Sequence, residues 1–156
     1  MTAAATEQQD LFEAVYGDAL FRVPTQRLAE AHASAGGTTY LCELTWPAPG
    51  LGGILGACHS LDVPLLFGSY DSPGGRAMFG EGEPTAETLA VADRFRTAWT
   101  TFASTGAPGW PAYRSGERCT HTFSAAPPTT APYAHESSRR IWDGHELAPF
   151  DLLEAS

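Results

Sequence analysis

Lysine and asparagine are absent from this 156-residue chain. Without lysine, the nine basic residues are all arginines; they face 18 acidic ones, for a formal net charge of −9. That balance excludes a nucleic-acid binder, because a phosphate backbone demands a basic face. Without asparagine there is no N-glycosylation sequon. The same bias, with abundant alanine, points to a GC-rich genome. Cysteine is scarce. Cys42, Cys58 and Cys119 lack paired spacing, which fits neither a disulfide framework nor a zinc knuckle and leaves them as small apolar residues. No apolar run approaches the ~20 residues needed to span a bilayer. The first ten residues lack the basic and apolar regions of a signal peptide. The expectation is a soluble, cytoplasmic protein. A hydrophobic fraction of 43% and four tryptophans argue for a folded chain. Its length suits one domain with a core and hardly two.

Apolar periodicity predicts a helix from about Glu7 to Ala19, through Leu11, Phe12, Val15 and Tyr16. A second helix is predicted from Pro24 to Ala35, stopped by Gly36-Gly37. Alternation from Thr38 to Trp46 reads as a strand that Pro47 ends. Residues 47–58 are a glycine- and proline-rich loop, Val63 to Gly68 a brief strand or turn, and 69–84 loop. The longest helix runs from about Thr85 to Ser104, with Val91, Phe95, Ala98, Trp99 and Phe102 as its apolar stripe. A weak strand, Cys119 to Phe123, precedes a Pro/Ala/Thr linker at 125–132 and a short helix around Glu136 to Trp142. A lone central strand would leave its backbone groups unpaired, so the chain reads as part of something larger.

Four stretches, in order, carry a resemblance. They are Phe21-Arg22-Val23-Pro24 with Arg27-Leu28-Ala29, then Tyr40 to Trp46, then Gly56-Ala57-Cys58-His59-Ser60-Leu61-Asp62 on to Gly68. The fourth is Trp99-Thr100-Thr101-Phe102-Ala103 with Thr105-Gly106-Ala107-Pro108 and Trp110-Pro111-Ala112-Tyr113. Together they resemble the C-terminal segment of the type-B carboxylesterase/lipase family, over roughly residues 16–145 and the last third of that family's domain. The resemblance implies an α/β class, the C-terminal part of an α/β-hydrolase fold, with residues 1–156 forming a single partial domain. It also implies that His59 is the catalytic histidine. In α/β-hydrolases the triad runs serine, acid, histidine along the chain, with the histidine on a loop near the end of the sheet. There it takes the serine proton and returns it to the leaving alcohol.

The other parts of that machinery are missing from the sequence. The nucleophile's G-x-S-x-G elbow occurs nowhere. The nearest pattern, His32-Ala33-Ser34-Ala35-Gly36, ends a helix rather than opening one. In Gly56-Ala57-Cys58-His59-Ser60 a cysteine fills the middle slot, but neighbouring loop side chains seldom face each other, which disfavours Cys58 as nucleophile. Gly36-Gly37, Gly52-Gly53 and Gly74-Gly75 lack the preceding strand of an oxyanion loop. The family's acid lies upstream of the region covered. Asp62 matches an acidic position of the histidine loop and is read as structural; Glu43 falls mid-strand and Asp18 ahead of the second helix. His32, His121, His135 and His145 read as packing or surface residues, because Cys119-Thr120-His121 is too sparse for a metal site. Trp46, Trp99 and Phe102 read as core aromatics, and family analogy places Phe67 in the acyl pocket. No cofactor or metal is implied.

The sequence thus points to a carboxylic ester hydrolase segment carrying the triad histidine and inactive alone. Its partners would be an ester substrate, once completed, and an N-terminal esterase portion or a second copy, with no nucleic acid and no membrane. The alternative is a non-catalytic remnant or protein-interaction module.

Overall fold

Proline at position 24 sets the first structural problem, because a proline inside a helix has no N–H to donate and crowds the preceding turn. The computed structural model describes residues 11–145. Residues 11–17 are helical, a π-turn over Asp18–Arg22 continues them, and helix α1, Val23–Ser34, completes the stretch. The two predicted helices are therefore one. In the π-turn the Val23 N–H reaches the Asp18 carbonyl, five residues back, and the chain widens immediately before Pro24. Residues 7–10 of the first predicted helix lie outside the described residues.

The remaining elements, in order, are β1 Cys42–Leu44, α2 Asp62–Phe67, α3 Pro73–Phe79, α4 Ala86–Thr105, β2 Cys119–Phe123, β3 Thr129–Pro132 and α5 Glu136–Trp142. A short 3-10 turn, Gly50–Gly53, lies between β1 and α2. Among these elements the structure corrects four further sequence readings. The strand expected over Thr38–Trp46 is a three-residue ladder, because only Cys42–Leu44 faces β2; before it, the Thr39 carbonyl accepts from the Tyr113 N–H at 2.7 Å. The run at Val63–Gly68 is helical, closed by Gly68 at φ 68°, a conformation glycine adopts without penalty. The expected loop at 69–84 contains α3. Ser72 caps it by accepting from the Gly75 N–H at 3.0 Å, and Pro73 opens its first turn. The expected linker at 125–132 contains β3, whose Pro132 ends the ladder. The long helix, the Cys119–Phe123 strand and the Glu136–Trp142 helix stand where the sequence put them.

The chain divides into two compact units. The first comprises residues 11–37 and 133–145. Its centre is the Asp18 carboxylate, 5% exposed, which accepts from Arg22 at 2.7 Å, from Trp142 at 3.3 Å and from the Ser138 hydroxyl. Arg27 donates to the carbonyls of Trp142, at 2.9 Å, and His145, so a guanidinium closes the last turn of α5. A seven-residue helix is not stable by itself; these contacts hold it to the π-turn and α1. Burial raises the Asp18 carboxyl, but hydrogen bonds from Ser138, Arg22 and Trp142, with the Arg22 charge, outweigh it and hold the group below its ordinary value. A depressed carboxyl contributes stability that is present above the unfolded value near 4 and is lost as pH falls through the folded one. We expect Asp18→Asn to destabilise this unit by roughly 1–3 kcal/mol at pH 7. Urea unfolding followed by circular dichroism should show that difference shrinking below pH 4; a constant gap would mean the charge is irrelevant. Leu11, Phe12, Val15 and Tyr16, the apolar face read from the sequence, are exposed, with Phe12 stacked on Tyr16 at 5.4 Å.

The second unit, Thr38–Pro132, contains the sheet. Its order is β1-β2-β3, with β1 parallel to β2 in the register Cys42↔His121 and β2 antiparallel to β3. The strand expected to stand alone is thus paired on one side. Two apolar clusters fill the unit. Trp46, Ala48, Leu61, Leu65, Val91 and Ala92 form one, where α2 meets α4. Phe95, Ala98, Trp110 and Phe123 form the other, between α4 and the sheet. Leu44 packs against both.

Candidate active site

The segment that carries His59 is anchored at both ends and open in the middle. Upstream, Trp46 buries its ring and donates from Nε1 to Glu87 of α4 at 2.9 Å. Ala48 N–H donates to the Gly56 carbonyl at 2.8 Å, closing residues 48–56 into a loop. Gly50 at the base of that loop passes so near α3 that a Cβ there would lie 2.3 Å from the Ala77 carbonyl oxygen; only glycine fits. Downstream, Leu61 and Leu65, 1% and 0% exposed, sink into the first cluster, with Leu55 and Cys58 packed beside them.

Between these anchors lie two successive turns, Leu61 N–H to Cys58 carbonyl at 3.3 Å and Val63 N–H to Ser60 carbonyl at 3.2 Å. Ser60 takes φ 67°, uncommon for a residue with a Cβ. The outcome is that His59 is exposed while the residues around it are held. Four apolar side chains flank it in the chain and stand exposed as well: Leu51 66%, Ile54 83%, Val63 46% and Phe67 75%. Val63 and Phe67, four residues apart, share one face of α2.

Neither thiol near this loop is primed as a nucleophile. Burial pushes the Cys58 thiol up, and burial with the Asp62 charge pushes Cys42 up to about 11. Asp62 occupies the first turn of α2 and its charge acts on Cys42. Asp18 is spent within its own unit on Arg22, Ser138 and Trp142. His121 lies in β2, stacked flat on Trp110 at 4.1 Å and bonded through Nδ1 to the Thr130 hydroxyl at 2.8 Å; burial lowers its basicity. His32 is exposed, its ring against Gly37, and His135 and His145 meet Tyr133 and Trp142 edge-on. Among the described residues no group of three or more His, Cys, Asp or Glu could hold a metal ion, and no helix is long and apolar enough to cross a membrane.

One feature of the second unit escaped sequence reading. Trp46 is core, as expected, but Trp99 and Phe102 are 37% and 47% exposed. With Thr38, Tyr40, Ala103, Pro108 and Trp110 they line a cavity of about 380 Å³. Helical spacing marked both aromatics as apolar-facing, yet nothing in a one-dimensional pattern says whether the neighbour they face is present.

The profile of the Carboxylesterase family matches residues 2–137. Among curated relatives, a probable N-octanoylanthranilate hydrolase of Rhodococcus erythropolis is 33% identical over 108 residues, covering 67% of this chain and 23% of the relative. Carboxylesterase 5A of Felis catus is 33% identical over 122 residues, 72% of this chain and 22% of the relative. Among solved structures, the Geobacillus stearothermophilus carboxylesterase EST55 superposes with a TM-score of 0.65 at 26% identity, over 82% of this chain and 27% of that one. The chain therefore spans about a quarter of the length of the relatives it matches.

Proposed function

Because the chain belongs to the carboxylesterase family, we propose that it is the segment of such an esterase that supplies the triad histidine, His59. Family membership implies carboxylic ester substrates and an α/β-hydrolase architecture, and the three strands and flanking helices are part of that fold. The observation that carries the assignment of His59 is its presentation. A braced loop holds the residue, its imidazole stays exposed, and apolar side chains without cover flank it. A surface histidine with no further role needs no such bracing.

In the completed enzyme His59 takes the proton of a serine hydroxyl as its oxygen attacks the ester carbonyl. It then returns that proton to the departing alcohol, leaving an acyl-enzyme that water cleaves by the same exchange. The serine elbow, the acid and the oxyanion glycines come from an N-terminal portion, on the same polypeptide or another.

The isolated 156-residue chain is expected to turn over p-nitrophenyl butyrate no faster than buffer. Mixed with the N-terminal portion of the Geobacillus esterase, it is expected to gain hydrolysis saturable in that portion. Activity of the chain alone, abolished by His59→Ala, would overturn the proposal and demand another nucleophile. A second reading, a non-catalytic interaction module, is favoured by the exposed apolar face at Leu11, Phe12, Val15 and Tyr16. A G-x-S-x-G segment encoded upstream discriminates for the esterase; its absence supports the module.

A further inference from the structure

We infer that the aromatic cavity beside β1 is the seat on which the rest of the esterase domain docks, filled by apolar side chains of that missing portion. The inference rests on the reading that such a portion completes this chain. Its walls come from three places. Tyr40 stands just before β1, Trp99, Phe102 and Ala103 come from the last turns of α4, and Pro108 and Trp110 from the turn that follows. The rings are already set edge to face, Tyr40 against Phe102 at 5.9 Å and against Trp110 at 6.5 Å. Such an array is preorganised and pays little to receive a partner.

Three observations choose the occupant. No lining residue carries a carboxylate or a guanidinium, although the chain is strongly acidic, so the partner groups are uncharged. The groove, about 380 Å³, is open to solvent and leaves the rings of Trp99 and Phe102 exposed side by side, apolar surface that an apolar partner would bury. The cavity also adjoins an unfinished sheet edge. The β1–β2 ladder uses the Leu41 carbonyl and the Thr45 N–H on one side, so in a parallel pair the main-chain groups of Cys42 and Leu44 point to the other side. Tyr40 lies two residues before that edge. About three quarters of each matched relative lies outside this chain, which supplies the occupant. A second copy of this chain would be a competing one.

The test fills the cavity from within. Binding of the purified chain to the N-terminal portion of the Geobacillus esterase is measured by calorimetry, with Ala103→Trp as the filling variant. Ala103 is exposed on α4, and tryptophan there should leave the melting temperature of the isolated chain unchanged or raised. The same variant is expected to bind the N-terminal portion at least tenfold more weakly. Trp99→Ala and Phe102→Ser, which strip the walls, should weaken binding comparably and cover the case in which Ala103→Trp misfolds. Equal affinity of the variants and the unaltered chain overturns the inference, as does a chain that fails to bind at all. So does a dimer of the isolated chain that Ala103→Trp dissociates. His59→Ala is expected to bind normally. A cavity-dependent complex without turnover would keep the docking seat and reject the esterase reading, whereas an active complex indifferent to Ala103→Trp would do the reverse.

Discussion

His59→Ala, introduced into the chain completed by an N-terminal esterase portion, is expected to lower kcat/KM for p-nitrophenyl butyrate by about 10⁴-fold or more. That corresponds to about 5.5 kcal/mol of lost transition-state stabilisation. The physical reason is that serine is a poor nucleophile unless its proton has somewhere to go as the carbonyl is attacked, and His59 is the one imidazole on this loop. Cys58 is the adjacent candidate, and burial keeps its thiol protonated. Complex formation should not change, because His59 is exposed and stands outside both apolar clusters of the unit. A loss below tenfold would show that a different histidine, or none, serves the triad. His121 is the control: stacked on Trp110 and tied to Thr130, it should affect stability rather than turnover when replaced by glutamine.

Leu65→Ala is the second substitution with a large expected effect, on stability. Leu65 is fully buried in α2 against Trp46, Leu61 and α4 residues Val91 and Ala92. Truncation removes transfer free energy and leaves a void that a close-packed site refills only in part, so a cost of roughly 2–5 kcal/mol is expected. The consequence reaches the candidate site. α2 is six residues long, and Leu61 and Leu65 are what pin it and the turns before it. Urea denaturation of the isolated chain measures the first effect. Hydrogen exchange at residues 58–63 measures the second, and protection there unchanged by Leu65→Ala would show that the loop is held by other contacts. Phe67→Ala, on the exposed face of the same helix, should leave the isolated chain within about 0.5 kcal/mol.

Much of the fold was legible because it depends on local rules. α4 was readable from an apolar stripe that Val91, Phe95 and Ala98 bury, an N-cap at Thr85 and a left-handed glycine at Gly106. α5 and β2 likewise followed from pattern alone. The misses share a cause. α3 was hidden by its two glycines and the Gly and Pro residues around it, although Ser72 and Pro73 carried its start signal. The π-turn at Asp18–Arg22 was invisible because an i→i+5 turn leaves no distinct periodicity. β3, four exposed residues, exists only because β2 offers it an edge. At the candidate site, His59 and its flanking motif were readable one residue at a time. The bracing by Trp46, Leu61 and Leu65, and the raised thiols, needed the packed structure.

The sequence by itself determined the family, the loop that carries His59, and the absence of a nucleophile elbow anywhere in the 156 residues. These are matters of residue order, and order is what a sequence records. Tertiary structure decided that β1 pairs with β2, and that the Asp18 carboxylate ties the π-turn to α5. It also decided that Trp99 and Phe102 line an open groove instead of a core. Those outcomes turn on which distant side chains meet, because burial, hydrogen bonding and pKa are properties of neighbours in space.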